Sequence, residues 1–238
     1  MIDYKINIDE AVRYMGYRGF TPAEREMALI KDCEKQLREY IEPAWIYRAF
    51  PIEQTEDGIL LKGTSLILGG SDIRGHLEGC GSCVLFCATA GSKADELIRL
   101  KEKEDMVQGY ITDCLASAAV DGVCDALEAE LADKLPDKHL TWRFSPGYGD
   151  LPLDIQPKIL AVLEAGKRAG VSCTESLLML PNGSPLSPPN GSLSREAAGS
   201  GWLTGAAGLL KVKSNRPGSG TTGAVGAACI GSGAVVGV

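Results

Sequence analysis

Apolar positions along this chain alternate between a helical and a strand period as far as residue 181, and beyond that point neither period is sustained. Residues 8–16 read as a short helix closed by Gly16. Thr21-Pro22-Ala23-Glu24 has the form of a capping box with proline at the first helical position. The helix it opens carries Met27, Ile30, Leu37, Tyr40 and Ile41 largely on one face and is expected to stop near Pro43. Trp45 to Ile52 and Gly58 to Lys62 read as strands, with Glu56-Asp57-Gly58 as the turn between them. Ser71-Asp72 is placed to cap a short helix through Leu77, and a buried strand follows at 83–89. Ser92 opens another helix, with Asp95 three residues on.

From about Asp105 to Leu135 no proline interrupts a helical stretch rich in small residues: Ala116, Ser117, Ala118, Ala119, Gly122 and Ala126. Such residues let a helix approach a neighbour closely. His139 to Phe144 is a strand candidate, and the loop Ser145-Pro146-Gly147-Tyr148-Gly149-Asp150 follows it. A helix is expected from about Asp154 to Arg168, ended by Gly170, with Val171 to Leu180 extended. Helices and strands alternate without a βαβ rhythm, which predicts an α+β fold over residues 1–184.

The segment from Asn182 onward differs in kind. It holds 13 of the 29 glycines and no Asp, Phe or Tyr, so little surface is available to offset the entropy of ordering it. Residues 185–238 are therefore expected to be a Gly/Ala/Ser-rich tail, disordered or out of frame. Pro185-Leu-Ser-Pro188-Pro189 cannot be a central strand.

Charge narrows the partners. The chain carries a formal −7; after Pro181 it has Arg195, Lys211, Lys213 and Arg216 against Glu196, a tail of +3, so the body is −10. An acidic body excludes nucleic acid as the main partner. No apolar run reaches the roughly 20 residues of a membrane helix, and no signal peptide is legible, so a cytoplasmic protein is expected. Eight cysteines then read as free thiols. Cys80, Cys83 and Cys87 are spaced closely enough to offer thiolates to a metal, but 83–89 reads as a buried strand where Cys serves as a small hydrophobe, and no fourth ligand is near. His76 and His139 have no partner at metal-binding spacing.

Two segments carry a resemblance. Arg143-Phe-Ser-Pro146-Gly147-Tyr148-Gly-Asp-Leu-Pro152 resembles the R-x-x-P-G-Y-x-x-x-P loop of the activation (reactivation) domain of cobalamin-dependent methionine synthase. Thr174-Glu175-Ser176-Leu-Leu-Met179-Leu-Pro181-Asn-Gly-Ser184 is similar to that family's T-E-S-x-x-M-x-P-x-x-S segment. The resemblance spans roughly residues 8 to 184 and is to free-standing short forms. It implies a mixed or antiparallel sheet with packed helices, completed by an apolar strand after the T-E-S segment. It also implies binding of S-adenosylmethionine by Arg143, Ser145, Pro146, Gly147 and Tyr148, with an acidic residue on the preceding long helix; Asp125 stands there, where Glu is usual. Glu175 is a further candidate beside the site.

The residues allow this chemistry and also plainer roles. Arg143 can clamp a carboxylate or form a surface ion pair. Gly147 can admit a ligand to the backbone or simply make a Pro-Gly turn. Tyr148 can face a sulfonium or fill a core, and Asp125 can bind a cation or be a solvated helix face. What the resemblance implies is an accessory subunit with no acid–base catalyst of its own. It would bind S-adenosylmethionine and support reductive methylation, that is reactivation, of the cobalamin carried by a corrinoid-binding methionine synthase, with a flavodoxin-type electron donor. The alternatives are reactivation of another corrinoid methyltransferase, or a thiol or metal protein using Cys80, Cys83 and Cys87.

Overall fold

The computed structural model describes residues 2–17, 19–181 and 205–214. The sequence Ser-Cys-Val-Leu-Phe-Cys-Ala-Thr is apolar at nearly every position, as a strand covered on both faces must be. It forms β4 (Ser82–Thr89), at the middle of a six-stranded sheet. Val84, Phe86 and Ala88 face one core, whereas Cys83, Leu85 and Cys87 face the other. Around it lie β1 (Ala44–Gln54), β2 (Ile59–Leu61), β3 (Ile67–Leu68), β5 (Lys138–Phe144) and β8 (Gly205–Ser214), in the order β3-β2-β1-β4-β8-β5. Every neighbouring pair is antiparallel. The fold is α+β, as expected.

The first core is closed by α1 (Ile8–Tyr14), α2 (Glu24–Arg38), α4 (Ser92–Glu104) and α5 (Met106–Lys134). Small residues on α5 set the packing distance. A Cβ on Gly122 would stand 1.9 Å from the Lys5 carbonyl oxygen, so the N-terminal segment crosses α5 against bare backbone. The second core lies on the opposite face, under α3 (Ser71–His76), α6 (Gln156–Leu163), α7 (Ala165–Arg168) and a hairpin of β6 (Val171–Cys173) and β7 (Met179–Pro181).

Four differences from the sequence reading concern the extent and form of the helices and strands. At α2 the box is shifted: Glu26, not Glu24, accepts from the N-cap backbone, which belongs to Ala23. The helix expected over 154–168 begins as a 3-10 turn (Leu153–Ile155) and breaks at Glu164, whose φ of 54° is left-handed. Val171 to Leu180 is not one strand but a hairpin. Its turn holds Thr174, Glu175 and Ser176, with the Thr174 N–H donating to the Leu178 carbonyl at 2.9 Å.

The fourth difference is the largest. Gly205–Ser214, inside the expected tail, is β8, the strand that joins β4 to β5. Its first four residues, Gly-Ala-Ala-Gly, carry none of the branched or aromatic side chains by which strands are recognised. The pleat is legible only in the sheet, where Leu209 enters the second core and Leu210 and Val212 enter the first. The boundary at 184 is corrected accordingly: the fold includes 205–214, while the rest of that tail lies outside the described residues.

Candidate functional site

The register of β5 on β8 shifts between Leu140 and Arg143. Leu140 packs against the first core, and beyond the irregularity Phe144 packs against the second. Trp142 shares the α3 side with Phe144: its indole N–H donates to Nδ1 of His76, and the His76 ring lies 5.1 Å from that of Phe144. Arg143 reaches α5 instead. Its Nη1 donates to Oδ1 of Asp125 at 2.8 Å and to Oε1 of Glu128 at 2.8 Å. The Arg143 side chain is only 13% exposed, against 69% for Asp125 and 30% for Glu128, so the guanidinium is held in a partly dehydrated place. There a charge-assisted bond is worth more than at the surface.

Two expected site residues are thus brought together, Asp125 and Arg143. Glu128, Asp121 and Tyr14 were not anticipated. Asp121, Asp125 and Glu128 recur at four and three residues, the spacing of one helix face, and that pattern was the available signal. Tyr14 of α1 donates its hydroxyl to Oδ2 of Asp121 at 2.6 Å. Burial raises the Asp121 carboxyl, against the Tyr14 bond and the Arg143 charge. Glu128 is raised for the same first reason, with Arg143 opposing and Asp125 adding.

The loop after β5 is fixed from both ends. Inside it, the Gly147 N–H donates to the Leu151 carbonyl at 2.9 Å and the Tyr148 N–H to the Ser145 carbonyl at 3.2 Å. Gly147 is exposed with φ of 87°, a conformation glycine adopts without strain. Pro146 is buried; Ser145 and Tyr148 are half-buried. At the far end the Asp150 carboxylate accepts from the Ser71 hydroxyl at 2.7 Å and from the backbone N–H groups of Ser71 and Asp72. Asp72 replies by accepting from the Asp150 N–H at 3.2 Å. The cap of α3 therefore comes from a loop distant in sequence, not from Ser71-Asp72 as expected. These bonds to the ionised form hold the Asp150 carboxyl below the usual range, the Ser71 hydroxyl contributing most. A Cβ on Gly149 would meet Asp72 Oδ2 at 2.1 Å, so this close approach requires glycine.

Glu175 is exposed on the turn of the β6–β7 hairpin. That turn is tied to the start of α6, through Gln156 Nε2 donating to the Leu177 carbonyl at 2.7 Å. The three clustered cysteines divide: Cys80 lies in the turn before β4, while Cys83 and Cys87 are fully buried in the second core. Burial pushes both buried thiols up to about 12, which disfavours the thiolate a metal would need. Among the described residues no group of three or more His, Cys, Asp or Glu side chains is arranged to hold a metal ion, and no helix is long and apolar enough to cross a membrane.

This arrangement of helices on an antiparallel six-stranded sheet matches the fold of the MetH reactivation domain. The crystal structure of that domain bound to AdoHcy matches this chain with a TM-score of 0.54 and 14% sequence identity, over 88% of this chain and 75% of that one. At that identity the likeness establishes the fold. No family model and no curated protein matches the sequence.

Proposed function

We propose that this chain binds S-adenosylmethionine where α5, β5 and the 145–150 loop meet, and that it supports reductive methylation of the cobalamin of a partner methionine synthase. A flavodoxin-type protein would be the electron donor. The observation that carries the reading is the Arg143 cluster: a half-dehydrated guanidinium, oriented by Asp125 and Glu128, at the root of a pinned loop. It stands in a fold shared with a domain solved with AdoHcy.

The residues fit such a ligand. Arg143 offers a planar fork for the amino-acid carboxylate, and the two acids fix its direction beforehand. Their negative charge suits the ligand's ammonium. Gly147 places no side chain between the loop and the ligand, and Tyr148, Ser145 and Pro146 shape the loop around it. The methyl donor is activated by its own sulfonium, so the protein's contribution is orientation rather than acid–base catalysis.

Calorimetric titration with S-adenosylmethionine tests the reading. Arg143→Ala is expected to weaken binding by about 2–4 kcal/mol, because it leaves the ligand carboxylate without its charged partner. Unchanged affinity in a folded variant rejects the site. Adding the corrinoid partner to the same titration tests the second half of the proposal, since presentation to cobalamin requires a ternary complex.

A further inference from the structure

The face of α5 turned to Arg143 carries more negative charge than that guanidinium offsets. Asp125 and Glu128 share one Arg143 nitrogen at 2.8 Å each, and Asp121 lies one turn before Asp125 on the same face. From α1, Tyr14 gives Asp121 a neutral hydrogen bond at 2.6 Å rather than a positive charge. Glu10, also on α1, adds a further negative influence on Asp121, although Arg13 beside it pairs with Glu10. Among the described residues three carboxylates therefore face one guanidinium, and two of them, Asp121 and Glu128, stand where water screens them poorly.

We infer that this surplus makes the site selective for the sulfonium ligand over its thioether counterpart, with Glu128 and Asp121 as the residues that set the preference. The inference rests on the reading that Arg143 takes the ligand's carboxylate. Both ligands carry that carboxylate and an ammonium, which together sum to zero. The sulfonium form has one more positive charge; the thioether does not. When the ligand carboxylate engages Arg143, it draws on the same positive charge that the acids share. The acids are then left facing the rest of the ligand, where the extra cation compensates them and a neutral sulfur does not. Glu128 and Asp121 are partly buried, so this compensation is strong, whereas the exposed Asp125 is screened by solvent. A ligand that has lost its sulfonium charge is released more readily by the same arrangement.

The test is calorimetric titration of the full chain with S-adenosylmethionine and, separately, S-adenosylhomocysteine, in low salt at pH 7.5. The wild type is expected to bind the sulfonium ligand at least tenfold more tightly, and added salt should narrow the ratio. Glu128→Gln keeps an oxygen for Arg143, and Asp121→Asn keeps one for Tyr14, so both remove charge with little change of shape. Each is expected to lower the ratio several-fold, mainly by weakening the sulfonium ligand, with thermal unfolding confirming a folded protein. Equal wild-type affinities overturn this inference and leave the binding site standing, as does a ratio that survives both substitutions. If neither ligand binds the wild type at millimolar concentration, the functional reading itself falls and the selectivity falls with it.

Discussion

The helix α5 carries acidic residues packed against protein at two places, and they are handled in opposite ways. Near its start, Asp113 faces Asp95 and Glu102 of α4. Burial, then the charges of Glu102 and Asp95, push its carboxyl up to about 7. Asp95 is 1% exposed, and Glu102 is itself raised by burial with Arg99 opposing. Tyr110 and Cys114 on α5, raised first by burial, also feel the Asp113 charge. Roughly two and four turns further on, Asp121 and Glu128 are also raised by burial, but there Arg143 pulls both back. The difference comes from β5, which delivers a guanidinium to one cluster. Where burial and like charges act together, as on Asp113, taking up a proton is the local remedy; where an arginine is bonded to the cluster, its charge opposes that uptake and the carboxylates orient it.

Removing Arg143 should make the two ends alike, and it is the largest effect expected. Beyond the loss of ligand, Arg143→Ala is expected to cost about 1–3 kcal/mol of stability near pH 7.5, because Asp121, Asp125 and Glu128 lose their common cation. Without Arg143 the folded-state carboxyl values rise further above the unfolded ones. The deficit should therefore shrink as pH falls and protons replace the arginine. Urea titrations at pH 5.5 and 7.5 would measure this, and a deficit that does not change with pH would refute it.

The next effect lies beside Asp121, within the span of the second cluster. Gly122→Ala would press a Cβ onto the Lys5 carbonyl, and backbone is not cheaply displaced. A destabilisation of about 1–3 kcal/mol is expected, from overpacking alone. Protease sensitivity around residues 2–7 should rise with it, and a variant as stable as wild type would show that the N-terminal segment does not lie across α5.

At the α4 end the expected sign is reversed. Asp113 has its folded value raised to about 7, above its unfolded value, so its contribution is fully present below the unfolded value and is lost as pH rises through about 7. Asp113→Asn should remove that loss, making stability flatter between pH 6 and 8. The variant should gain on the order of 1 kcal/mol over wild type at pH 8, since a carboxyl only partly shielded from water realises a fraction of the full linkage energy. Parallel pH dependences for the two proteins would refute it.

How much of this was legible in the sequence follows from how local each feature is. Helices α1, α4 and α5 and strand β4 were readable because their signals lie within the segment: an apolar period, a run of small residues, Asp105 before a long proline-free stretch. Arg143 and Asp125 could be named from the resemblance, but their contact depends on how β5 crosses α5. Glu128 is not legible in the sequence, because one acid on a charged helix looks like another until a partner selects it. Strand β8 was missed for the converse reason. Gly-Ala-Ala-Gly-Leu-Leu has no preference of its own, and only β4 and β5 on either side make it a strand. The α3 cap was misplaced because Asp150 supplies it from across the chain.

The smallest expected effect concerns Glu175, which the T-E-S resemblance set beside the site. Its turn is held by neighbours and not by its own carboxylate: the Thr174 hydroxyl accepts from the Leu178 N–H at 3.0 Å and lies 2.9 Å from the Ser176 hydroxyl. Leu177 there takes a left-handed φ of 66°. The segment that shapes this turn is thus Thr174 to Leu178, anchored to α6 by Gln156, while Glu175 is exposed. Glu175→Gln should change stability by no more than about ±0.5 kcal/mol, as surface substitutions do. Thr174→Val should cost more, because it deletes the oxygen that receives the Leu178 N–H. Titration of the Glu175→Gln protein with S-adenosylmethionine completes the test. An affinity within twofold of wild type keeps the site at α5 and β5, whereas a tenfold loss would bring the hairpin into it.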